Sequence, residues 1–179
     1  VPRIRRLVPQ DWALLRDVRL EMIADTPMAY IESLASARRQ TETQWQARAG
    51  TMSGPDSITL VADDGTEGSR FCGLMRVVLR HPHAPGTPLQ AVLSSVYVAP
   101  ERRGLGLADN LIDAAKEAAV ELGAEVLELG VHEENDRAKR FYQRHGFSLN
   151  GASRSYPQHK SKRELLMECK LPEAPKESR

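Results

Sequence analysis

Residues 96–119 read VYVAPERRGLGLADNLIDAAKEAA, and the reading of this stretch decides the fold. Alternating apolar residues stop at Pro100, two arginines meet Gly104, Gly106 and Ala108, and an alanine-rich helical pattern follows. Alternation giving way to a period of about 3.6 residues marks a strand handing over to a helix. A helix start carries N–H groups with no partner inside the helix, and its dipole places partial positive charge there. Gly104, Gly106 and Ala108 strip side-chain bulk from the place where a ligand would approach those groups, and Arg103 adds a full charge at the rim. The turn is therefore an expected seat for a diphosphate. The plainer alternative is a flexible turn whose glycines serve positive φ alone.

Two named phosphate motifs can be tested on the same letters. No G-x-x-x-x-G-K-[ST] occurs, so nucleotide hydrolysis by a P-loop is excluded. The dinucleotide pattern G-x-G-x-x-G is only partly met, because Asp109 stands where the third glycine belongs and the charged PERR separates strand from turn.

Upstream, runs at 58–62, 71–79 and 90–98 read as three strands joined through the turn-rich DDGTEGS and HPHAPGTP. Before them come a strand over 3–8 and a helix over 11–23, with Asp11 as its cap and Leu14, Leu15, Val18 and Met22 at helical spacing. A further helix is expected over 36–49, anchored by Trp45 and stopped by Gly50. Downstream, a helix over 105–122, a strand over 125–131, a helix over 136–145 and strands over 147–155 and 163–170 complete the order. That succession predicts a mixed α+β or α/β fold on a largely antiparallel sheet. Residues 1–172 are expected to form one domain, with 173–179 a frayed tail.

Composition narrows the function classes. Hydrophobic residues at 41% and charged residues at 27% belong to a globular chain, and 179 residues suit a single core. Twenty-five basic against 24 acidic side chains leave a net charge of +1, which recommends neither nucleic acid nor an anionic membrane as partner. Cys72 and Cys169 lack metal-ligand spacing and are expected as reduced, buried thiols. No apolar run approaches the roughly 20 residues that span a bilayer, and VPRIRRLVPQDW has no signal-peptide core, so a soluble cytoplasmic protein is expected. The histidines of HPHAPG have no further ligand cluster, and the segment reads as a hairpin loop without metal.

Val98-Ala99-Pro100 followed by Arg103, Gly106 and Ala108 resembles the GNAT N-acetyltransferase signature, a strand ending V-x-P and then R-x-x-G-x-[GA]. The later NDRAKRFYQRHGF resembles the same family's N-x-x-A-x-x-[FL]-Y-x-x-x-G-F through Asn135, Ala138, Phe141, Tyr142, Gly146 and Phe147. The segment LLRDVRLEMIADTPMAY is similar to a bacterial branch with diverse substrates. The resemblance implies a three-layer fold of about six or seven strands and four helices, with a V-shaped split between strands four and five. It implies acetyl-CoA as cosubstrate, no metal, and a primary amine of a small molecule or peptide as acceptor. The main chain of Val96, Tyr97 and Val98 would hold the pantetheine arm, and Arg103, Gly104, Leu105, Gly106, Leu107 and Ala108 the diphosphate.

By the same resemblance Tyr142 is the general acid toward the leaving thiolate, the alternative being a buried tyrosine with a satisfied hydroxyl. Asn135 reads as the cap of its helix, and the resemblance adds contact with the cofactor arm as an equal alternative. Phe141, Gly146 and Phe147 read as structural. Many relatives carry a carboxylate in the fourth strand, where this chain has Ser94 and Ser95. Either a carboxylate elsewhere works through ordered water or the amine arrives deprotonated; Glu128 is the better candidate for the carboxylate, since Leu127, Leu129 and Val131 share one strand face and leave it on the other, toward the cleft or toward solvent. Glu32 and His132 are weaker candidates. Tyr30, Glu32 and Tyr156 are expected around the acceptor, in polar loop-rich segments. Cys72 and Cys169 lie outside both motifs, which argues against a cysteine acyl-enzyme. The competing class is an acyl-CoA binding or sensing module with weak catalysis, and a homodimer is the assembly to test.

Overall fold

A computed structural model describes residues 1–65, 69–82 and 84–176. The strands are β1 (Arg3–Arg6), β2 (Ser57–Asp63), β3 (Phe71–Arg80), β4 (Gln90–Val98), β5 (Val126–His132), β6 (Ser148–Tyr156) and β7 (His159–Lys170). The helices are α1 (Trp12–Asp25), α2 (Leu34–Arg38), α3 (Glu42–Met52), α4 (Leu107–Glu121) and α5 (Asp136–Arg144). One sheet of order β1-β2-β3-β4-β5-β7-β6 contains all seven strands. Its antiparallel pairs and single parallel step, β4 with β5, make it the mixed α+β sheet expected.

The chain forms two compact units, Val1–Arg76 with Ser95–Ala114, and Val77–Ser94 with Ala115 onward. In the first, β1 runs antiparallel to β2, from Arg3 opposite Asp63 to Arg6 opposite Leu60. Leu15, Val18, Met22 and Ile23 bury one stripe of α1, the spacing that puts side chains on a common face. Ile23, Ala37 and Trp45 form a core cluster against which Trp12, Leu20, Tyr30 and Leu34 pack.

Two sequence expectations fail here for local reasons. Asp11 makes no side-chain cap to α1; it accepts from the backbone N–H of Val8 at 2.9 Å and from both terminal nitrogens of Arg5 at 2.7 and 2.9 Å. Arg5 engages both carboxylate oxygens in a bidentate pair, which holds the side chain away from the start of α1. The helix expected over 36–49 is two: Ser33 caps α2 through Ser36, and Thr41 with Gln44 forms a capping box that starts α3 afresh. Gly50 does not stop α3, which continues to Met52 because Met52 buries its side chain.

In the second unit the parallel ladder joins Gln90, Ala91 and Val92 to Val126, Leu127 and Glu128, while β5 goes on pairing with β7 to His132 opposite Glu164. The expected split between strands four and five begins where that ladder stops. Asn135 caps α5, its side-chain oxygen accepting from Ala138 N–H at 3.1 Å, and Gly146 at φ 86° ends it as expected. Phe147 is buried, whereas Phe141 is half-exposed and packs on His145 and Arg144, so Phe141 is no core residue. Both cysteines are free and buried. Residues 66–68, His83 and 177–179 lie outside the described residues, and with them the tip of DDGTEGS, one histidine of HPHAPG and the end of the expected tail.

Candidate active site

Pro100–Arg102 forms one 3-10 turn between β4 and α4. It is tied down by Arg70, which pairs with Glu101 on the turn and with Glu21 of α1 at 2.8 and 3.0 Å. The Arg103 N–H donates to the Pro100 carbonyl at 3.3 Å, and the helical ladder opens with Asn110 N–H on Gly106 at 3.1 Å. Among the described residues no backbone carbonyl takes up the N–H groups from Gly104 to Ala108. The seat is thus one residue narrower than the sequence suggested, since the N–H of Arg103 is already used.

Gly104 and Gly106 have φ of 74° and 81°, and an added Cβ at either would meet nothing within 4 Å. Backbone conformation requires the glycines, and the space above them is open. Leu107 turns into the core and Leu105 lies exposed. Open space, amides that no backbone carbonyl takes up among the described residues, and a helix start together fit the diphosphate of a coenzyme A thioester.

Along β4, Tyr97 is buried, which leaves its main chain rather than its ring for a ligand. The Tyr30 hydroxyl donates to the Val96 carbonyl at 3.4 Å, and the Arg103 Nε donates to the Val98 carbonyl at 2.9 Å. Arg103 also pairs with Asp25 at 2.5 Å, holding that carboxyl below its ordinary range. Two carbonyls expected to serve a cofactor arm are thus already in contact with the chain's own side chains. Burial pushes the Tyr30 phenol up to about 12, so it remains a donor at neutral pH. Ser95 has φ 52° inside the strand, a left-handed conformation that only surrounding structure can impose on a serine.

Glu32 accepts from Arg19 Nε at 3.1 Å, from Arg48 Nη1 and Nη2 at 3.1 and 3.0 Å, and from Gln40 at 2.5 Å. Burial alone would raise its carboxyl, but the two guanidiniums outweigh burial and hold it below the usual range. Arg19 also lies over the Tyr30 ring, 4.9 Å from its centroid. Sequence reasoning missed Arg19, Arg48 and Asp25. A signal existed for the first, because Arg19 follows Leu15 by one helical turn on the stripe that α1 buries.

Within the second unit Tyr142 is 7% exposed on α5, its ring edge-on to Phe141 and Phe147 at 5.4 and 5.8 Å. Glu128 is buried, not solvent-facing, with Arg80 Nη1 on its Oε1 at 3.3 Å. β5 is covered on both faces, so alternation along it does not separate inside from outside. Tyr156 sits edge-to-face against His132 at 4.6 Å, at the end of the β6–β7 hairpin. No group of three or more metal-ligating side chains occurs among the described residues. No helix among them is long and apolar enough to cross a membrane.

Comparison with known proteins is consistent with this geometry. Residues 18–147 match the family described as Acetyltransferase (GNAT) family. Over 59 residues the chain is 41% identical to an uncharacterized N-acetyltransferase of Mycobacterium bovis, a match covering 33% of this chain and 38% of that protein. An acetyltransferase of the GNAT family from Streptococcus pneumoniae superposes with a TM-score of 0.76 at 22% identity, over 96% of this chain and all of that one. A Salmonella typhimurium structure solved with its cofactor acetyl-CoA does so with a TM-score of 0.70 at 19% identity, over 99% of both chains. At those identities the two structures establish a shared fold.

Proposed function

The chain belongs to the GNAT acetyltransferase family, and on that premise we propose that it transfers the acetyl group of acetyl-CoA directly to a primary amine of a small molecule or peptide. The observation that carries this reading is the open turn from Gly104 to Ala108, with amides that no backbone carbonyl among the described residues takes up. The Salmonella neighbour's acetyl-CoA supports the choice of donor. Arg103 and the amides after it hold the diphosphate, and the main chain of Val96, Tyr97 and Val98 holds the arm like an added strand. Asn135, which caps α5, also touches that arm. Gripping the donor far from the reacting bond positions the thioester carbonyl, an entropic gain spent in the transition state.

The chemistry balances without a covalent enzyme intermediate. The amine nitrogen bonds to the thioester carbonyl carbon, the carbon–sulfur bond breaks, and the thiolate takes the Tyr142 phenolic proton. The proton shed by the nitrogen passes to Glu128 or to solvent and restores the phenol. Tyr30, Glu32 and Tyr156 border the acceptor. The site of action is the cytoplasm, and a homodimer is the expected assembly.

One finding favours a second reading, a module that binds acyl-CoA but turns it over weakly. Glu32 and Glu101 hold guanidiniums that keep them below the usual carboxylate range, and Glu21 and Glu128 are also ion-paired, so none of the four is a free carboxylate. Incubation with acetyl-CoA and a panel of amines, following free thiol, separates the two. Thiol release that depends on the amine is expected; tight calorimetric binding of coenzyme A with no release on any amine selects the sensor.

A further inference from the structure

Resting on the acetyl-transfer reading, we propose that the acceptor amine carries a carboxylate and that Arg76 is the residue that reads it. A cavity of about 170 Å³ opens in the first unit, lined among others by Arg19, Arg48, Arg76, Ser95, Leu15 and Leu74. Three guanidiniums face it, and among the described residues the one carboxylate paired with any of them is Glu32, held by Arg19 and Arg48. Arg76 has no carboxylate partner among the described residues. Its Nε donates to the buried Ser57 hydroxyl at 2.9 Å, and its two terminal nitrogens have no partner among those residues.

That arrangement fixes the guanidinium plane by one edge and leaves the other edge as a fork. A fork of two parallel N–H donors matches a carboxylate better than any neutral group. Burial and the neighbouring charge of Arg48 both disfavour the protonated form of Arg76, so an arriving anion relieves a cost already present. Size limits what fits. An engineered cavity of about 150 Å³ takes one benzene, so this one suits an amino-acid-sized acid and not a multi-ring antibiotic. Ser95 lines the same cavity, on the strand whose main chain is proposed to hold the donor.

The sequence carried a trace of this site: Arg76 interrupts the otherwise apolar FCGLMRVVL. A site built to pair with an anion disfavours the neutral analogue, because binding it leaves the half-buried cation without a counter-charge.

The test separates the acid seat from the transfer reaction. N-acetylglycine, its amide N-acetylglycinamide, and inorganic phosphate are titrated into the intact protein and followed by NMR, with coenzyme A calorimetry as a check on folding. The acid should bind about 10- to 100-fold more tightly than the amide, and Arg76→Gln should erase that difference while coenzyme A still binds. Arg76→Lys, which keeps the charge but loses the fork, should retain part of it. Equal binding of acid and amide by the unaltered protein overturns the proposal, as does a preference that survives in a folded Arg76→Gln, or phosphate binding more tightly than the acid. A carboxylate preference that depends on Arg76, with no acetyl transfer to any amine, would leave the seat standing and remove the enzyme.

Discussion

The Tyr30 hydroxyl donates to the carbonyl of Val96 across 3.4 Å, so the connection after α1 touches the main chain of β4 proposed to receive the cofactor arm. A bond this long sits at the weak end of the range and contributes less than about 1 kcal/mol net. Tyr30→Phe should leave coenzyme A affinity unchanged or raise it by up to about fivefold, measured by calorimetry. A loss of more than about tenfold would make Tyr30 part of the cofactor's own binding wall.

Arg103 is shared between Asp25 and the Val98 carbonyl. Arg103→Ala should raise the KM for acetyl-CoA by about tenfold, the scale of a charge-assisted hydrogen bond, with turnover little changed. Asp25→Asn should move the KM the other way, since it releases the guanidinium toward the diphosphate. Steady-state kinetics at low salt reads both, and an unaltered KM in both variants removes Arg103 from the seat.

Gly106 and Gly86 share a left-handed φ, 81° and 79°, and open space around a notional Cβ. Alanine at either should cost about 1–2 kcal/mol through backbone strain, and roughly 2–8 °C in Tm. Only Gly106→Ala should also weaken coenzyme A binding, because only there do amides await a ligand. Equal cofactor affinity in the two variants speaks for a turn that is merely flexible.

Tyr142 is buried with its ring against Phe141 and Phe147. Tyr142→Phe keeps that packing and removes the proton. Turnover should fall by about 10²-fold or more, with the melting temperature held. Full activity in the variant assigns the phenol a structural place.

Glu32 is a carboxylate whose folded value is depressed by Arg48 and Arg19 against the opposing effect of burial. Its contribution is therefore complete above the unfolded carboxyl value of about 4.3 and is lost as the pH falls through the lower folded value. Glu32→Gln should lose about 2 kcal/mol at pH 7, and the gap to the unaltered protein should narrow toward about pH 3. Urea unfolding at the two pH values checks it; a constant gap would falsify the ion-pair account.

Local signals were sufficient for much of this protein. The hand-over at Pro100, the left-handed stop at Gly146 and the cap by Asn135 depend on backbone groups a few residues apart, and the sequence shows both partners of each. The order of strands and helices followed from periodicity for the same reason. What the sequence could not carry is pairing between distant residues. Asp11 read as a helix cap until Arg5 claimed it, and the pairing of Glu128, the candidate base facing cleft or solvent, with Arg80 was not visible at all. Arg76 was an interruption in an apolar strand, and only folding placed it beside Arg19 and Arg48, where Glu32 is the single carboxylate among the described residues that pairs with any of the three. Electrostatic partners are chosen by through-space distance, which chain order does not encode; hydrophobic period and capping are chosen along the chain, which it does.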